Sequence, residues 1–318
     1  MSMKVLVVGL GALGTVFSCL LKERGHHVAG LDREPVIAAV RQQGLQVTGI
    51  WGEHAAQLDE LATDCGQFNG HKFDLVVLTV KSYDTNQAAA GIAGIMEPDT
   101  YIMLAQNGYG NYEAAAKHIP ERQIILGRVI FGAETVAPGV SKVTVIADDV
   151  VLGSPGRLID SRVIEQFARI FNDAGVPTRA SDRVLEYVWG KITYNSALNT
   201  LGAILEVNYG KLAESEHSRL LMDGIIREIF AVLKAMGQST LWPDADTYLQ
   251  EFYGKLVPVT AAHHASMLQD IQRGRKTEID ALNGAVIALG KQYGVSTPVN
   301  EVIAALVKAK ESLMLQSQ

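Results

Sequence analysis

Lys191, Asn195 and Asn199 are spaced four residues apart. At 3.6 residues per helical turn, that spacing puts an ammonium and two carboxamides on one helix face. Their neighbours are apolar: Val188, Trp189, Ile192, Ala197, Leu198 and Leu201. A lysine in such company either stretches to water or lines a polar cleft. Two carboxamides beside it suit a ligand carrying hydroxyl, carbonyl or carboxylate groups. The plainer reading is an exposed helix face with ordinary polar residues. Glu206, seven residues beyond Asn199, is expected to extend the stripe. A second polar cluster runs through Ser266, Gln269, Asp270, Arg275, Thr277 and Glu278. Glu278 lies near the start of an expected helix, where the dipole favours a carboxylate. It is either a helix-start acid or a carboxylate aimed into a cleft. His263 and His264 are adjacent and do not share a helix face, so no metal site is expected.

A different chemistry is written at the start of the chain. Gly9-Leu10-Gly11-Ala12-Leu13-Gly14 fits G-x-G-x-x-G. The first glycine permits a tight turn, the second a close approach of backbone to a pyrophosphate, and the third close packing of helix on strand. The helix start then offers N–H groups and a positive dipole end to phosphate. Asp32 falls at the end of the second expected strand, where an acid binds the ribose 2′-hydroxyl of NAD; Arg33 follows at once and suits the 2′-phosphate of NADP. Lys81 follows the apolar strand DLVVLTV, at the carboxyl end of the sheet where ligands bind in open α/β folds.

Those residues need elements to hold them. Short apolar runs predict strands at 3–8, 28–31, 45–50, 74–80, 101–105, 124–133, 143–145 and 150–153, with helices at 12–24, 35–43 and 88–96 between them. The alternation predicts an α/β class, with an N-terminal Rossmann doubly wound sheet. From Asp182 onward helical periodicity takes over, with helices expected at 183–206, 216–236, 244–255, 264–273, 278–293 and 299–314 and prolines 243, 258 and 298 punctuating them. The expected division is a dinucleotide-binding domain at 1–180 and an all-helical substrate and catalytic domain at 181–318, packed over a shared cleft.

Composition narrows the function classes. The 318 residues are 48% hydrophobic and 19% charged, which favours a folded chain over a disordered one. A net charge of -6 argues against nucleic acid as a partner. Two cysteines, Cys19 and Cys65, are too few for a disulfide framework, and a cytoplasmic setting is expected. The uncharged run from Val5 to Leu21 has the outline of a signal peptide, but its three glycines fit a strand, a turn and a helix better. No membrane span is expected.

GLGALG at the N-terminus, VKSYDT at 80–85, QNG at 106–108, WGKITYNSALN at 189–199 and SMLQDIQRGRKTEIDALNG at 266–284 together resemble the ketopantoate reductase family, in the family's order and over nearly the whole chain. The last segment is the most specific. The resemblance implies reduction of a 2-oxo acid, 2-dehydropantoate (ketopantoate), to (R)-pantoate with NADPH, on the route to pantothenate and coenzyme A, by a homodimer with its active site between a Rossmann and a helical domain. It implies that Lys191 is the catalytic general acid and that Glu278 supports the lysine, the substrate and the cofactor. Asn195, Asn199 and Asn107 would contact substrate, Asn107 also the nicotinamide ribose, and Ser266 the substrate carboxylate. Arg33 and Lys81 would hold the 2′-phosphate. Two departures from the family pattern stand out. Asp32 leaves NAD open beside NADP. Tyr209, with Asn208 before it, lies where the family often has a substrate-contacting asparagine. The alternatives are a related 2-oxo-acid reductase, a D-2-hydroxyacid dehydrogenase with another substrate, and a non-enzymatic dinucleotide sensor.

Overall fold

Val5, Leu6 and Val7 offer no polar side chain to either face of a strand, so a sheet that holds them has to be covered on both sides. In the computed structural model, which describes residues 2–315, all three are fully buried. Their strand, β1 (Lys4–Val8), pairs in parallel with β2 (His27–Leu31) on one side and β6 (Leu75–Leu78) on the other. The described residues divide into two compact units. One is formed by the residues up to Gln106 with Asn111–Val184, the other by Asn107–Gly110 with Leu185 onward.

The first unit is built on an eight-stranded sheet in the order β12-β11-β8-β7-β6-β1-β2-β5. The further strands in it are β5 (Glu60–Ala62), β7 (Tyr101–Leu104), β8 (Ile124–Arg128), β11 (Val150–Gly153) and β12 (Thr178–Ala180). Its pairings are parallel except β8 with β11. β2 lies on one side of β1 and β6 on the other, so the carboxyl end of β1 is a topological switch point, where ligands bind in such sheets. Helices α1 (Ala12–Glu23), α2 (Glu34–Gln43), α3 (Thr85–Ala93), α4 (Asn111–Ala116) and α5 (Ser161–Asp173) connect the strands. A second sheet, in the order β4-β3-β10-β9, comprises β3 (Leu45–Gly49), β4 (His54–Ala56), β9 (Phe131–Ala137) and β10 (Val140–Ile146). Phe17 of α1 meets both Phe131 and Phe171 edge-on, so one aromatic cluster ties α1 to β9 and α5.

The second unit is helical. It contains α6 (Val184–Leu205), α7 (Tyr209–Glu214), α8 (Glu216–Met236), α9 (Ala245–Glu251), the short α10 (Val257–Val259), α11 (Ser266–Gln272), α12 (Asn283–Tyr293) and α13 (Pro298–Leu315). Ile192, Thr193, Ser196, Ala197, Leu198 and Thr200 of α6 are all buried, so this helix is wrapped on nearly every side. Its hydroxyls turn back on its own carbonyls: Thr193 Oγ1 donates to Trp189 O at 2.8 Å. The Asn283 amide donates to Ser196 O at 3.2 Å and to Asn300 Oδ1 at 2.9 Å. Glu228 in turn accepts the N–H groups of Val299 and Asn300, which caps α13. A buried polar chain thus locks α6 to α8, α12 and α13.

Several expectations need correction. The single strand expected at 124–133 is two strands in different sheets, because the chain turns after Arg128, whose buried guanidinium pairs with Asp148 at 2.7 Å. The helix expected at 278–293 begins as a 3-10 turn, Ile279–Ala281, and becomes α-helical only at Asn283. The helix expected at 88–96 runs from Thr85 to Ala93. The helix expected at 244–255 is α-helical only over Ala245–Glu251, and Phe252–Leu256 continues as a π-turn. Helix α5 was not expected, although Asp160 caps it and apolar Ile164, Phe167, Ala168 and Phe171 recur at helical spacing.

Candidate active site

The glycine turn sits at the switch point with the geometry its spacing demands. Gly9 has φ +95°, and a Cβ there would come within 2.9 Å of Val80 N. A Cβ on Gly14 would come within 1.9 Å of Gly9 O, so only glycine lets α1 start against the turn. Gly11 is the opposite case: a Cβ there would meet nothing within 4 Å. The second glycine therefore faces open space of the kind a pyrophosphate needs. No side chain caps the first-turn N–H groups of α1, and Gly11 is its N-cap residue. On this geometry the residues fit a dinucleotide. Sequence reasoning missed Thr79, whose hydroxyl donates to Gly9 O at 2.5 Å and braces the turn; its signal is a lone hydroxyl at the end of an otherwise apolar strand.

Asp32 follows β2 directly. Its Oδ2 accepts from the Leu10 N–H at 2.6 Å and its Oδ1 from the Arg33 N–H at 2.7 Å. Arg33 is the N-cap residue of α2 and its side chain is 86% exposed. Lys81 is half-buried, immediately before a 3-10 turn at Ser82–Asp84 that leads into α3.

In the helical unit, Lys191, Asn195 and Asn199 do share one face of α6, and the two carboxamides on it are nearly buried. Asn195 is 9% exposed and Asn199 4%, while Lys191 is half-buried. Burial of two carboxamides removes the plainer reading of an exposed polar face. Asn199 donates through Nδ2 to Ser266 Oγ at 3.0 Å and accepts the Met267 N–H on Oδ1 at 3.0 Å. It thereby holds the first turn of α11 and fixes the Ser266 hydroxyl. Among the described residues the Asn195 side chain has no hydrogen-bond partner, so a nearly buried carboxamide is left for a ligand.

Glu278 precedes the 3-10 turn, but its side chain makes no cap hydrogen bond; the Thr277 hydroxyl accepts the Ile279 N–H instead. Asn107 donates to Glu278 Oε2 at 3.4 Å. Residues 107–110 were expected in the first domain and cluster with the helical unit. The Tyr109 N–H donates to Ala281 O at 2.8 Å, and its ring stacks on Trp189 at 5.2 Å, two residues before Lys191.

Three neighbouring residues are engaged elsewhere. Glu206 does not extend the stripe: it is exposed, has φ +59° and pairs with Lys310 at 2.6 Å. Asn208 caps α7, accepting the Lys211 N–H at 3.0 Å. Tyr209 is buried against the rings of Tyr194 and His263. Burial pushes the Tyr209 hydroxyl well above the ordinary phenol range and that of Tyr194 up to about 12, which makes both poor proton donors at neutral pH.

A dinucleotide cradle at the switch point of a parallel sheet, with a buried lysine-carboxamide face on a helical unit, defines a nicotinamide-dependent reductase. The chain belongs to the ketopantoate reductase family. Residues 5–156 match the family model described as ketopantoate reductase PanE/ApbA, and residues 183–311 match the model of its C-terminal part. The 2-dehydropantoate 2-reductase of Aquifex aeolicus is 46% identical over 318 residues, covering 99% of each chain. The solved ketopantoate reductase of Ralstonia eutropha JMP134 is 29% identical at a TM-score of 0.86, covering 98% of this chain and 99% of its own. A ternary structure of D-mandelate dehydrogenase with NADH and anilino(oxo)acetate is 26% identical at a TM-score of 0.89, with the same coverage. Among the described residues, no helix is long and apolar enough to cross a membrane.

Proposed function

We propose that this chain reduces 2-dehydropantoate to (R)-pantoate, with Lys191 as general acid. The observation that carries the site assignment is the buried face of α6, where Lys191 stands one turn from an unengaged Asn195 carboxamide and two turns from the Asn199–Ser266 pair. The Gly9–Gly14 turn would hold the pyrophosphate of a reduced nicotinamide dinucleotide, which would supply the hydride. The work of the chain's own residues is to meet the charge that develops on the ketone oxygen. The Lys191 ammonium stabilises that oxyanion and gives it a proton from Nζ. The Asn195 carboxamide offers donors and an acceptor to the substrate's oxygens, and its burial makes each such bond worth more than in water. Ser266, held by Asn199, offers its hydroxyl to the carboxylate. Glu278 orients Asn107 and supports Lys191.

The D-2-hydroxyacid dehydrogenase reading is not favoured, since the relative at 46% identity is named for 2-dehydropantoate and the mandelate enzyme matches at 26%. Nor is the sensor reading. Arg33 and Lys81 are the cations that the NADPH expectation requires, and Asp32 is the group that opposes it. A homodimer in the cytoplasm accompanies this reading, and sedimentation velocity tests the dimer. Turnover of ketopantoate against a panel of 2-oxo acids that includes phenylglyoxylate tests the substrate. A kcat/KM higher for phenylglyoxylate than for ketopantoate contradicts the proposal.

A further inference from the structure

We propose that Asp32 turns this chain's preference toward NADH, by fixing a carboxylate where NADPH carries its 2′-phosphate. The inference rests on the first unit being a dinucleotide cradle and does not depend on which oxo acid is reduced. In a Rossmann unit, the residue at the end of the second strand meets the adenosine ribose. Here that residue is an acid whose position is set from two directions. Oδ2 takes the N–H of Leu10, inside the glycine turn, at 2.6 Å, and Oδ1 takes the N–H of Arg33 at 2.7 Å. The side chain is 14% exposed, so it has little room to swing aside.

A carboxylate has about four lone-pair sites, and two are used by these backbone donors. The remaining pair accepts hydroxyl donors, which the 2′- and 3′-hydroxyls of NADH supply. The 2′-phosphate of NADPH has acceptors in place of a donor and carries a charge of about −1.5 to −2. Against a fixed carboxylate it meets like-charge repulsion and finds no donor on Asp32.

Arg33 is the group that would reverse this. Its Nε lies 3.9 Å from Asp32 Oδ1, so its charge is already set against that carboxylate. The side chain is 86% exposed, where water weakens its pull on a phosphate. Glu34 follows in the first turn of α2, so the segment Asp32-Arg33-Glu34 is net acidic. Lys81, half-buried after the strand β6, is the other cation the NADPH expectation calls on, and it does not remove the carboxylate at the ribose position.

The test is a binding titration of the full chain with NADH and with NADPH, without any oxo acid, read by isothermal calorimetry. NADH is expected to bind about tenfold or more tightly than NADPH. Asp32→Ala is expected to lower the NADH/NADPH preference by about tenfold or more. Asp32→Asn keeps an acceptor for the Leu10 N–H and removes the charge, so it gives the same shift if Asp32→Ala folds poorly. Tighter binding of NADPH by the unaltered chain, or a preference that neither variant changes, overturns the inference and leaves the cradle standing. Failure of both dinucleotides to bind overturns the cradle as well.

Discussion

Asn199 on α6 and Ser266 on α11 are separated by 67 residues and joined by a hydrogen bond of 3.0 Å. The same carboxamide takes the Met267 N–H, so one buried side chain both holds the first turn of a helix and fixes the Ser266 hydroxyl. Asn199→Ala leaves the Met267 N–H without that acceptor and Ser266 without its anchor. The expected loss of stability is about 1–3 kcal/mol. KM for the oxo acid rises more than kcat falls. Denaturant unfolding and steady-state kinetics check both, and an unchanged KM with lowered stability would leave Asn199 a purely structural residue.

Lys191→Ala is expected to lower kcat by about 10²-fold or more, through loss of general-acid and electrostatic assistance. Dinucleotide affinity stays within about twofold, because the role proposed for Lys191 is toward the oxo acid and not the dinucleotide. Near-normal turnover would remove Lys191 from the proton transfer.

Gly11 and Gly14 of the turn are expected to fail differently. Gly14→Ala drives a Cβ into Gly9 O and destabilises the fold by about 3 kcal/mol. Gly11→Val has open space and a φ of -73° that any residue adopts, so the melting temperature holds while dinucleotide affinity falls. Thermal melts with and without dinucleotide separate the two outcomes. A melting temperature for Gly11→Val as low as for Gly14→Ala would contradict the assignment of that space to the ligand.

Asp148 gives a pH dependence. Partial burial pushes its carboxyl up, but the hydrogen bond and charge of Arg128, with help from Arg179, hold it below the ordinary carboxylate range. A depressed folded value contributes stability that is present above the unfolded value of 3.8 and is lost as pH falls through the folded one. Asp148→Asn is therefore expected to cost about 1–2 kcal/mol at neutral pH, discounted for the 44% exposure of the carboxylate. The gap closes as pH falls below 3.8. A gap that persists in acid would assign the loss to packing.

The glycine turn was legible because its chemistry is local: three backbone positions, one strand and one helix suffice to state it. The α6 stripe was legible in its spacing, since helical periodicity needs no partner. What that stripe does was not. Asn199 finds Ser266 across 67 residues, and Asn107 finds Glu278 across 171, at distances that no local pattern encodes. Glu206 fell out of the stripe because α6 ends before it, in a left-handed residue tied to Lys310. Asn208 looked like a ligand contact and is an N-cap, a role its place three residues before Lys211 allows. The second sheet escaped notice because β4 is only three residues long and β9 continues an apolar run already assigned to β8.

The direct measurement follows the absorbance of reduced nicotinamide with purified protein, ketopantoate, and NADH or NADPH in parallel, with chiral analysis of the product. Rapid oxidation is expected, faster at low cofactor concentration with NADH, with one (R)-pantoate formed for each nicotinamide oxidised. No oxidation of either cofactor, by folded protein shown to bind dinucleotide, would contradict the proposed reduction.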